Sequence, residues 1–227
     1  MKVLLVDDHA LLRDGIALLM ANEFPDLDLL QAGTLAEARA AIGRHDDIRL
    51  VLLDLTLPDG SGLAELPWFA EAAPQARLVA LSADESKETV LGAISAGAAG
   101  YVPKSVQSGA MLEALRNVLD GGVHLPEAVT DRRATPRPDS PARVPKPLGP
   151  EDLGFSPRQA DVLRMLIDGK PNKAISRELE MSESTVKTHL AAIFRKLEAN
   201  SRTQAVVAAA RLGLRLGTED ALSLKPR

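Results

Sequence analysis

Short apolar runs alternate with amphipathic segments of helical periodicity over residues 1–122. The runs are rich in Val and Leu, as is typical of strands buried on both faces of a parallel sheet. The intervening segments are long enough to form crossover helices, so successive strands are expected to be parallel. The predicted strands are 2–7, 28–33, 50–54, 77–82 and 100–103, and the predicted helices are 9–22, 35–44, 63–72, 85–96 and 106–120. The pattern therefore predicts an α/β domain with a doubly wound, five-stranded parallel sheet.

From Leu153 onward the periodicity is helical. Residues 156–159 (Ser-Pro-Arg-Gln) and 201–204 (Ser-Arg-Thr-Gln) read as capping boxes, the first with proline at the opening helical position. Asn172 and Ser182 can cap two further helices, with a tight turn at Glu180–Ser182 between that pair. This predicts a small all-α domain of four helices with a helix-turn-helix.

Residues 125–150 separate the two patterns and contain seven prolines with few large apolar side chains. Such a composition is typical of a semi-extended linker. We therefore predict four parts, with bounds 1–124, 125–152, 153–217 and a tail at 218–227. Basic linker residues could touch DNA phosphates, although solvated charge in a tether is the favoured interpretation. These residues are Arg132, Arg133, Arg137, Arg143 and Lys146.

Composition excludes several classes of protein. The chain has no cysteine, which excludes disulfides and thiolate metal sites. The apolar run after Lys2 is ended by two aspartates, too early for a signal peptide, and no apolar run approaches the ~20 residues that span a bilayer. A cytoplasmic protein without membrane association is expected. Residues 1–124 hold 9 basic and 18 acidic side chains, whereas 153–217 hold 11 and 6, which favours a regulatory domain joined to a nucleic-acid binder.

Polar side chains follow four predicted strands where each strand ends: Asp7 and Asp8, Asp54, Ser82, and Lys104. The carboxyl ends of parallel strands meet at one edge of the sheet, so these groups are expected in one crevice. Two carboxylates ~4 Å apart repel by about 4 kcal/mol at an effective dielectric of 20. Such a cluster favours a cation, and carboxylate oxygens with water suit Mg²⁺.

Asp54 is the best candidate for a nucleophile, because aspartates form aspartyl-phosphates. Lys104 can pair with a phosphoryl oxygen, Ser82 can donate a hydrogen bond to another, and the small side chain of Ala83 leaves access for a donor. Taken singly, each residue has a structural explanation, such as helix capping by Asp7 and Asp8. His9 is interpreted as a surface residue rather than a metal ligand.

Residues 1–122 resemble the receiver domain of a two-component response regulator, with the CheY-like fold. The resemblance is carried by Asp7-Asp8, Asp54, Pro58, Gly62, Ser82-Ala83 and residues 97–105. It implies phosphorylation of Asp54 by a histidine kinase. It also implies that Mg²⁺ is bound by Asp8, Asp54 and the backbone carbonyl of Thr56, with Asp7 acting through water. Ser82 and Tyr101 would form a switch pair that responds to phosphorylation.

In the predicted helix after Ser182, Val186, Leu190, Ile193 and Leu197 form a buried stripe. The other faces carry basic, hydroxyl and small side chains that suit the major groove of DNA. An ordinary helical bundle with a charged surface is the alternative. The residues on those faces are Lys187, Thr188, Ala191 and Arg195.

Residues 169–175, 181–189, 196–197 and 202–205 resemble the LuxR-type helix-turn-helix, and the whole chain resembles a NarL/FixJ-type response regulator. The resemblance implies that Lys187 and Thr188 face base edges, and that Ala191 can offer only a methyl contact. Residues expected near the DNA backbone are Ser184, Thr185, Lys173 and Arg202.

The expected function is phosphorylation-controlled, sequence-specific binding to double-stranded DNA, without turnover of a substrate. A homodimer is expected when the protein is phosphorylated or DNA-bound. The last helix forms either the dimer interface or part of the domain core. Two alternatives remain. A metal-dependent phosphatase using an aspartyl-phosphate would commonly carry a second acid two residues after the nucleophile, where this chain has Thr56. A receiver that acts only through protein partners is the other.

Overall fold

A computed structural model describes residues 1–126, 129, 149–212 and 214. The five basic linker residues named above, and the tail at 218–227, lie outside the described residues. Within the described part, none of the helices has both the length and the apolar character to cross a membrane.

Five parallel strands form the sheet in the order β2-β1-β3-β6-β7. Their bounds are β1 Lys2–Val6, β2 Asp28–Ala32, β3 Ile48–Asp54, β6 Arg77–Ser82 and β7 Gly100–Pro103. The order reverses direction at β1, so the groups after β1 and β3 meet at the point where doubly wound sheets bind ligands. The predicted doubly wound, five-stranded sheet is confirmed.

Helices cover both faces of this sheet because neighbouring strand residues point to opposite sides. Leu53 belongs to an apolar cluster that includes residues of α2 (Leu35–Arg44), α3 (Gly62–Ala72) and α4 (Lys87–Ser95). Leu52 packs on the other face with α1 (Ala10–Glu23) and α5 (Ser108–Leu119). The central strands are buried on both faces, which explains their continuous apolar runs.

A short hairpin, β4 Thr56–Leu57 and β5 Gly60–Ser61, lies between β3 and α3. No strand was predicted there from the sequence. The hairpin leads into Gly62, whose N–H donates to the carbonyl of Leu55 at 3.0 Å. A Cβ atom at Gly62 would lie 2.0 Å from the backbone oxygen of Asp54, so the chain needs glycine at this place.

Replacing Gly62 by alanine is therefore expected to destabilise the receiver domain by about 1–3 kcal/mol, because backbone must move to admit the methyl group. The matched control is Gly15→Ala in α1, where an added Cβ meets nothing within 4 Å. That change is expected to stabilise by about 0.5–1 kcal/mol. Urea unfolding followed by the fluorescence of Trp68, the single tryptophan, measures both. If both changes altered the free energy of unfolding equally, the close approach at Gly62 would be shown to be relieved without loss of stability.

The described C-terminal residues form a 3₁₀ turn, Pro150–Leu153, and then four helices. These are α6 Pro157–Ile167, α7 Asn172–Glu178, α8 Glu183–Lys196 and α9 Arg202–Arg211. The capping box at Ser156 forms as predicted, and the side chains of Ser182 and Ser201 also cap their helices. The predicted box at 201–204 is incomplete, because Gln204 Oε1 accepts from the N–H of Asn200 instead of that of Ser201. The predicted cap by Asn172 is wrong: Pro171 is the N-cap residue, and the Asn172 side chain instead accepts a hydrogen bond from Arg202.

The helical domain contacts the sheet domain through α9, beside α4 and the loop that precedes β7. Thr203 Oγ1 donates to the carbonyl of Ala99 at 3.2 Å, and Val207 belongs to the apolar cluster beneath α4. A second contact joins the N–H of Val123 to the carbonyl of Gly169 at 3.1 Å. Helix α9 is thus shared between its own domain core and the sheet domain.

Candidate functional site

Two carboxylates lie buried at the carboxyl edge of the sheet. Asp7 is fully buried and Asp54 is 2% exposed. Asp8 is exposed at the rim. Ligand atoms of Asp7, Asp8, His9 and Asp54 all lie within 4.8 Å of one another. The loops after β1 and β3 bring these groups together because the two strands are neighbours in the sheet.

Lys104 neutralises the buried part of this cluster. Its Nζ lies 2.7 Å from Asp7 Oδ2 and 2.6 Å from Asp54 Oδ2. The residue follows β7, and its N–H donates to the carbonyl of Ser82 at 2.8 Å, which ties its position to β6. The other oxygen of Asp54 accepts a hydrogen bond from the N–H of Thr56 at 3.0 Å.

Burial and pairing shift the ionisation of both groups. Burial raises the pKa of Asp54 above its ordinary value, against the opposing bonds from Lys104 and the Thr56 N–H. Burial alone would lower the pKa of Lys104, but its bonds to Asp54 and Asp7 outweigh burial and raise that pKa. The lysine therefore stays a cation while Asp54 is less strongly acidic than an exposed aspartate.

Two residues near the pocket make contacts that the sequence did not predict. His9 is exposed, as interpreted from the sequence, and its Nδ1 also lies 2.6 Å from Asp8 Oδ1 and 3.2 Å from Asp7 Oδ1. Arg13, one turn into α1, donates to the backbone carbonyl of Asp7. Neither contact could be predicted from the sequence, because both depend on the bend between β1 and α1.

Hydrogen bonds connect both predicted switch residues, Ser82 and Tyr101, to Asp84, which precedes α4. Ser82 is buried, and its Oγ accepts a hydrogen bond from the N–H of Asp84 at 3.1 Å. Tyr101 is fully buried, and its hydroxyl donates to the carbonyl of Asp84. The Asp84 side chain in turn accepts hydrogen bonds from Ser86 and Thr89, at the start of α4.

A cavity of about 450 Å³ gives access to Asp54. A phosphoryl donor that entered the cavity would meet the Asp54 carboxylate, with the Lys104 ammonium beside that carboxylate. The oxygens of Asp7, Asp8 and Asp54 are the ligands that Mg²⁺ prefers, and their spacing suits one such ion. The residues that line the cavity are His9, Leu11, Leu12, Asp54, Thr56, Ala83 and Lys104.

Helix α8 presents a polar face to solvent. Its buried side is formed by Val186, Leu190 and Ile193, as the periodicity predicts. Thr188 Oγ1 donates to the carbonyl of Ser184 at 3.0 Å, which fixes its rotamer. The exposed residues include six of the predicted DNA contacts on this helix: Ser184, Thr185, Lys187, Thr188, Ala191 and Arg195. Lys173 on α7 is exposed as well.

Arg202 does not lie with that exposed set. Its guanidinium donates to Asn172 Oδ1 at 2.8 Å and to the carbonyl of Lys170, so it points between α7 and α9. The apolar side chains of α9 divide in two: Ala205, Val206 and Ala209 pack in the helical domain, whereas Val207 packs against the sheet domain.

Comparison with known proteins finds the same two parts. Residues 3–116 match the response regulator receiver domain, and 153–209 match the bacterial regulatory proteins of the luxR family. The glycerol metabolism activator of Pseudomonas putida is 35% identical over 217 residues, covering 92% of this chain and 94% of that protein. The nitrate/nitrite response regulator NarL of Escherichia coli K12 is 32% identical, covering 90% and 93%. A crystal structure of a LuxR family DNA-binding response regulator from Silicibacter pomeroyi is 28% identical with a TM-score of 0.51, covering 56% of this chain and 98% of that one.

Proposed function

This chain belongs to the response regulators that join a receiver domain to a LuxR-type DNA-binding domain, and we propose that phosphorylation of Asp54 controls its DNA binding. The pocket supports this, because Asp54 is the acid that lies both against Lys104 and on the open cavity. The exposed polar face of α8 provides, in the same chain, the surface that would bind DNA. Transcription is then regulated by the phosphorylation state of the receiver.

The chemistry at Asp54 is a single phosphoryl transfer. An Asp54 oxygen attacks phosphorus, a new O–P bond forms, and the bond from phosphorus to the donor breaks, with its electron pair leaving on the donor. Lys104 holds positive charge beside the transferred group. Mg²⁺ bound by Asp8, Asp54 and the Thr56 carbonyl, with Asp7 acting through water, would neutralise charge on the phosphoryl oxygens. We assign the donor role to a histidine kinase in the cytoplasm.

Phosphorylation is proposed to reach α9 through Ser82, Asp84 and α4. A phosphoryl group on Asp54 offers Ser82 Oγ a stronger acceptor than its present neighbours, which would draw the loop at Asp84 toward the pocket. Helix α4 packs against α9, so a shift of this loop would weaken the domain contact. Release of α9 would allow two copies to pair on DNA, with Lys187 and Thr188 facing bases. We also propose that the chain divides into a receiver domain at 1–124, a linker at 125–152, a DNA-binding domain at 153–217 and a tail at 218–227.

Selection of double-stranded DNA from a random pool, followed by measured affinity, tests the proposed control. Treatment with acetyl phosphate and Mg²⁺ is expected to tighten binding by roughly tenfold or more in the wild type, as a population shift of 1.4 kcal/mol requires. Asp54→Asn, which keeps the shape but lacks the anionic nucleophile, is expected to show no response. Equal affinity before and after treatment, with the phosphoryl group verified on the protein, would contradict control of DNA binding by Asp54.

The phosphatase alternative has little support, since Thr56 stands where a second acid would be needed, and we propose that the chain turns over no substrate. Sustained release of phosphate from an ester such as p-nitrophenyl phosphate would revive that alternative. A receiver acting only through protein partners would bind selected DNA no better than random DNA.

A further inference from the structure

Two arginines meet at the junction of the receiver and the helical domain. Arg77 is the first residue of β6, and its Nη2 donates to the carbonyl of Gly122 at 2.8 Å. Arg202 is the first residue of α9, and it donates to Asn172 Oδ1 and the carbonyl of Lys170. Neutral acceptors thus fix each guanidinium, and none of them compensates its charge.

Both charges are poorly compensated within the described part of the chain. None of its Asp or Glu side chains forms an ion pair with Arg77 or Arg202. The Nε atom of each is buried and lacks a hydrogen-bond partner there. Burial, and then the neighbouring charge of Arg77, lower the pKa of Arg202 to about 10. Buried cations are normally paired with an anion, because an unpaired one is costly.

Both arginines line a cavity of about 350 Å³. Its receiver wall is formed by residues 74–78 and 97–99, and its other wall by residues 201–203 at the start of α9. Small side chains and backbone line most of it, which leaves room for a compact ligand. The amino end of α9 adds a partial positive charge to the same wall.

We propose that this cavity binds a small phosphate-bearing anion between Arg77 and Arg202. Each guanidinium keeps N–H groups that the carbonyl acceptors do not use, among them the Nε–H groups. Such groups pair well with the oxygens of a phosphate dianion. Inorganic phosphate and the phosphate group of a small ester share this chemistry. The site is distinct from the Asp54 pocket, which lies at the opposite, carboxyl edge of the sheet.

The bound anion holds the two domains together, because Arg77 belongs to the receiver and Arg202 to the helical domain. The contact it supports includes the hydrogen bond from Thr203 to Ala99, and therefore covers one side of α9. An abundant phosphate compound would then oppose release of α9, independently of the state of Asp54.

Titration of the full-length, ¹⁵N-labelled protein tests this site. The arginine Nε–Hε resonances are followed as sodium phosphate replaces sodium chloride at constant ionic strength, and glycerol 3-phosphate is used in a parallel arm. Saturable shifts of two resonances, assigned by Arg77→Gln and Arg202→Gln, are expected. Arg77→Gln should weaken the apparent affinity by roughly tenfold or more, the usual loss for a hydrogen bond to a charged group. Arg49→Gln, which removes an exposed charge from β3, should bind as the wild type does.

Saturation by both probes would identify a site for phosphate compounds, whereas saturation by inorganic phosphate alone would restrict it to the free ion. Shifts that fail to saturate in the wild type would overturn the proposal, as would undiminished binding by folded Arg77→Gln. If Arg77→Gln does not fold, Arg77→Lys keeps the charge without the fork and should still weaken binding. Phosphorylation of Asp54 is measured separately, so failure here leaves the receiver function untouched.

Discussion

Replacement of Lys104 by glutamine is expected to slow phosphorylation of Asp54 by about 10²–10³-fold, the range measured when one preorganised group at a developing charge is removed. Lys104 Nζ lies 2.6 Å from Asp54 Oδ2, beside the position that a transferred phosphoryl group would take. Glutamine can donate a hydrogen bond but carries no charge. The rate of adduct formation with acetyl phosphate and Mg²⁺, followed by intact mass, measures the effect.

The same substitution has a second expected effect, on stability. Without the ammonium group, Asp7 and Asp54 face each other with no cation between them, and breaking such a buried pair costs about 3–5 kcal/mol. Mg²⁺ should recover part of that loss, because it supplies positive charge to the same carboxylates. Lys87→Gln is the matched control, since Lys87 is exposed at the start of α4. Phosphorylation at the wild-type rate in Lys104→Gln would show that Lys104 only balances charge in the resting pocket.

Loss of both Lys187 and Thr188 is expected to lower affinity for selected DNA by roughly 10²-fold or more, since each lost base contact costs about 1–3 kcal/mol. Both side chains are exposed on α8 and neither supports the domain core, so the double alanine variant should fold normally. Fluorescence anisotropy with selected and random duplexes measures the change. The loss should be larger for the selected duplex.

Arg158→Ala provides the control for this second prediction, because it removes an exposed positive charge from α6 instead of α8. It should alter binding to both duplexes little. A double variant of α8 that loses affinity equally for selected and random DNA would place Lys187 and Thr188 on the phosphate backbone, away from the bases.

The sheet and the pocket could be predicted because they depend on local patterns. Apolar runs such as Leu50–Leu53 mark a strand buried on both faces, and the topology of parallel strands then brings their carboxyl ends to one edge. Asp7, Asp54 and Lys104 are separated by many residues in the chain, yet their positions at the carboxyl ends of β1, β3 and β7 suffice to place them together. Their roles in phosphorylation remain predictions.

Other features depend on contacts that the sequence does not encode locally. Asn172 looked like a helix cap because of its residue type, but a guanidinium thirty residues away uses its oxygen. Arg202 was expected near the DNA backbone, although carbonyl acceptors hold it between α7 and α9. The division of α9 between two apolar clusters could not be predicted either. Apolar residues such as Val206 and Val207 do not show from the sequence which domain covers each of them.

Intact mass after incubation with acetyl phosphate tests most directly whether Asp54 is the switch. Wild-type protein with Mg²⁺ is expected to gain one phosphoryl group, whereas the wild type with excess EDTA and the Asp54→Asn variant with Mg²⁺ are expected to gain none. An adduct on Asp54→Asn equal to that on the wild type, or a folded wild type that takes up no phosphoryl group, would contradict phosphorylation of Asp54 as the signal.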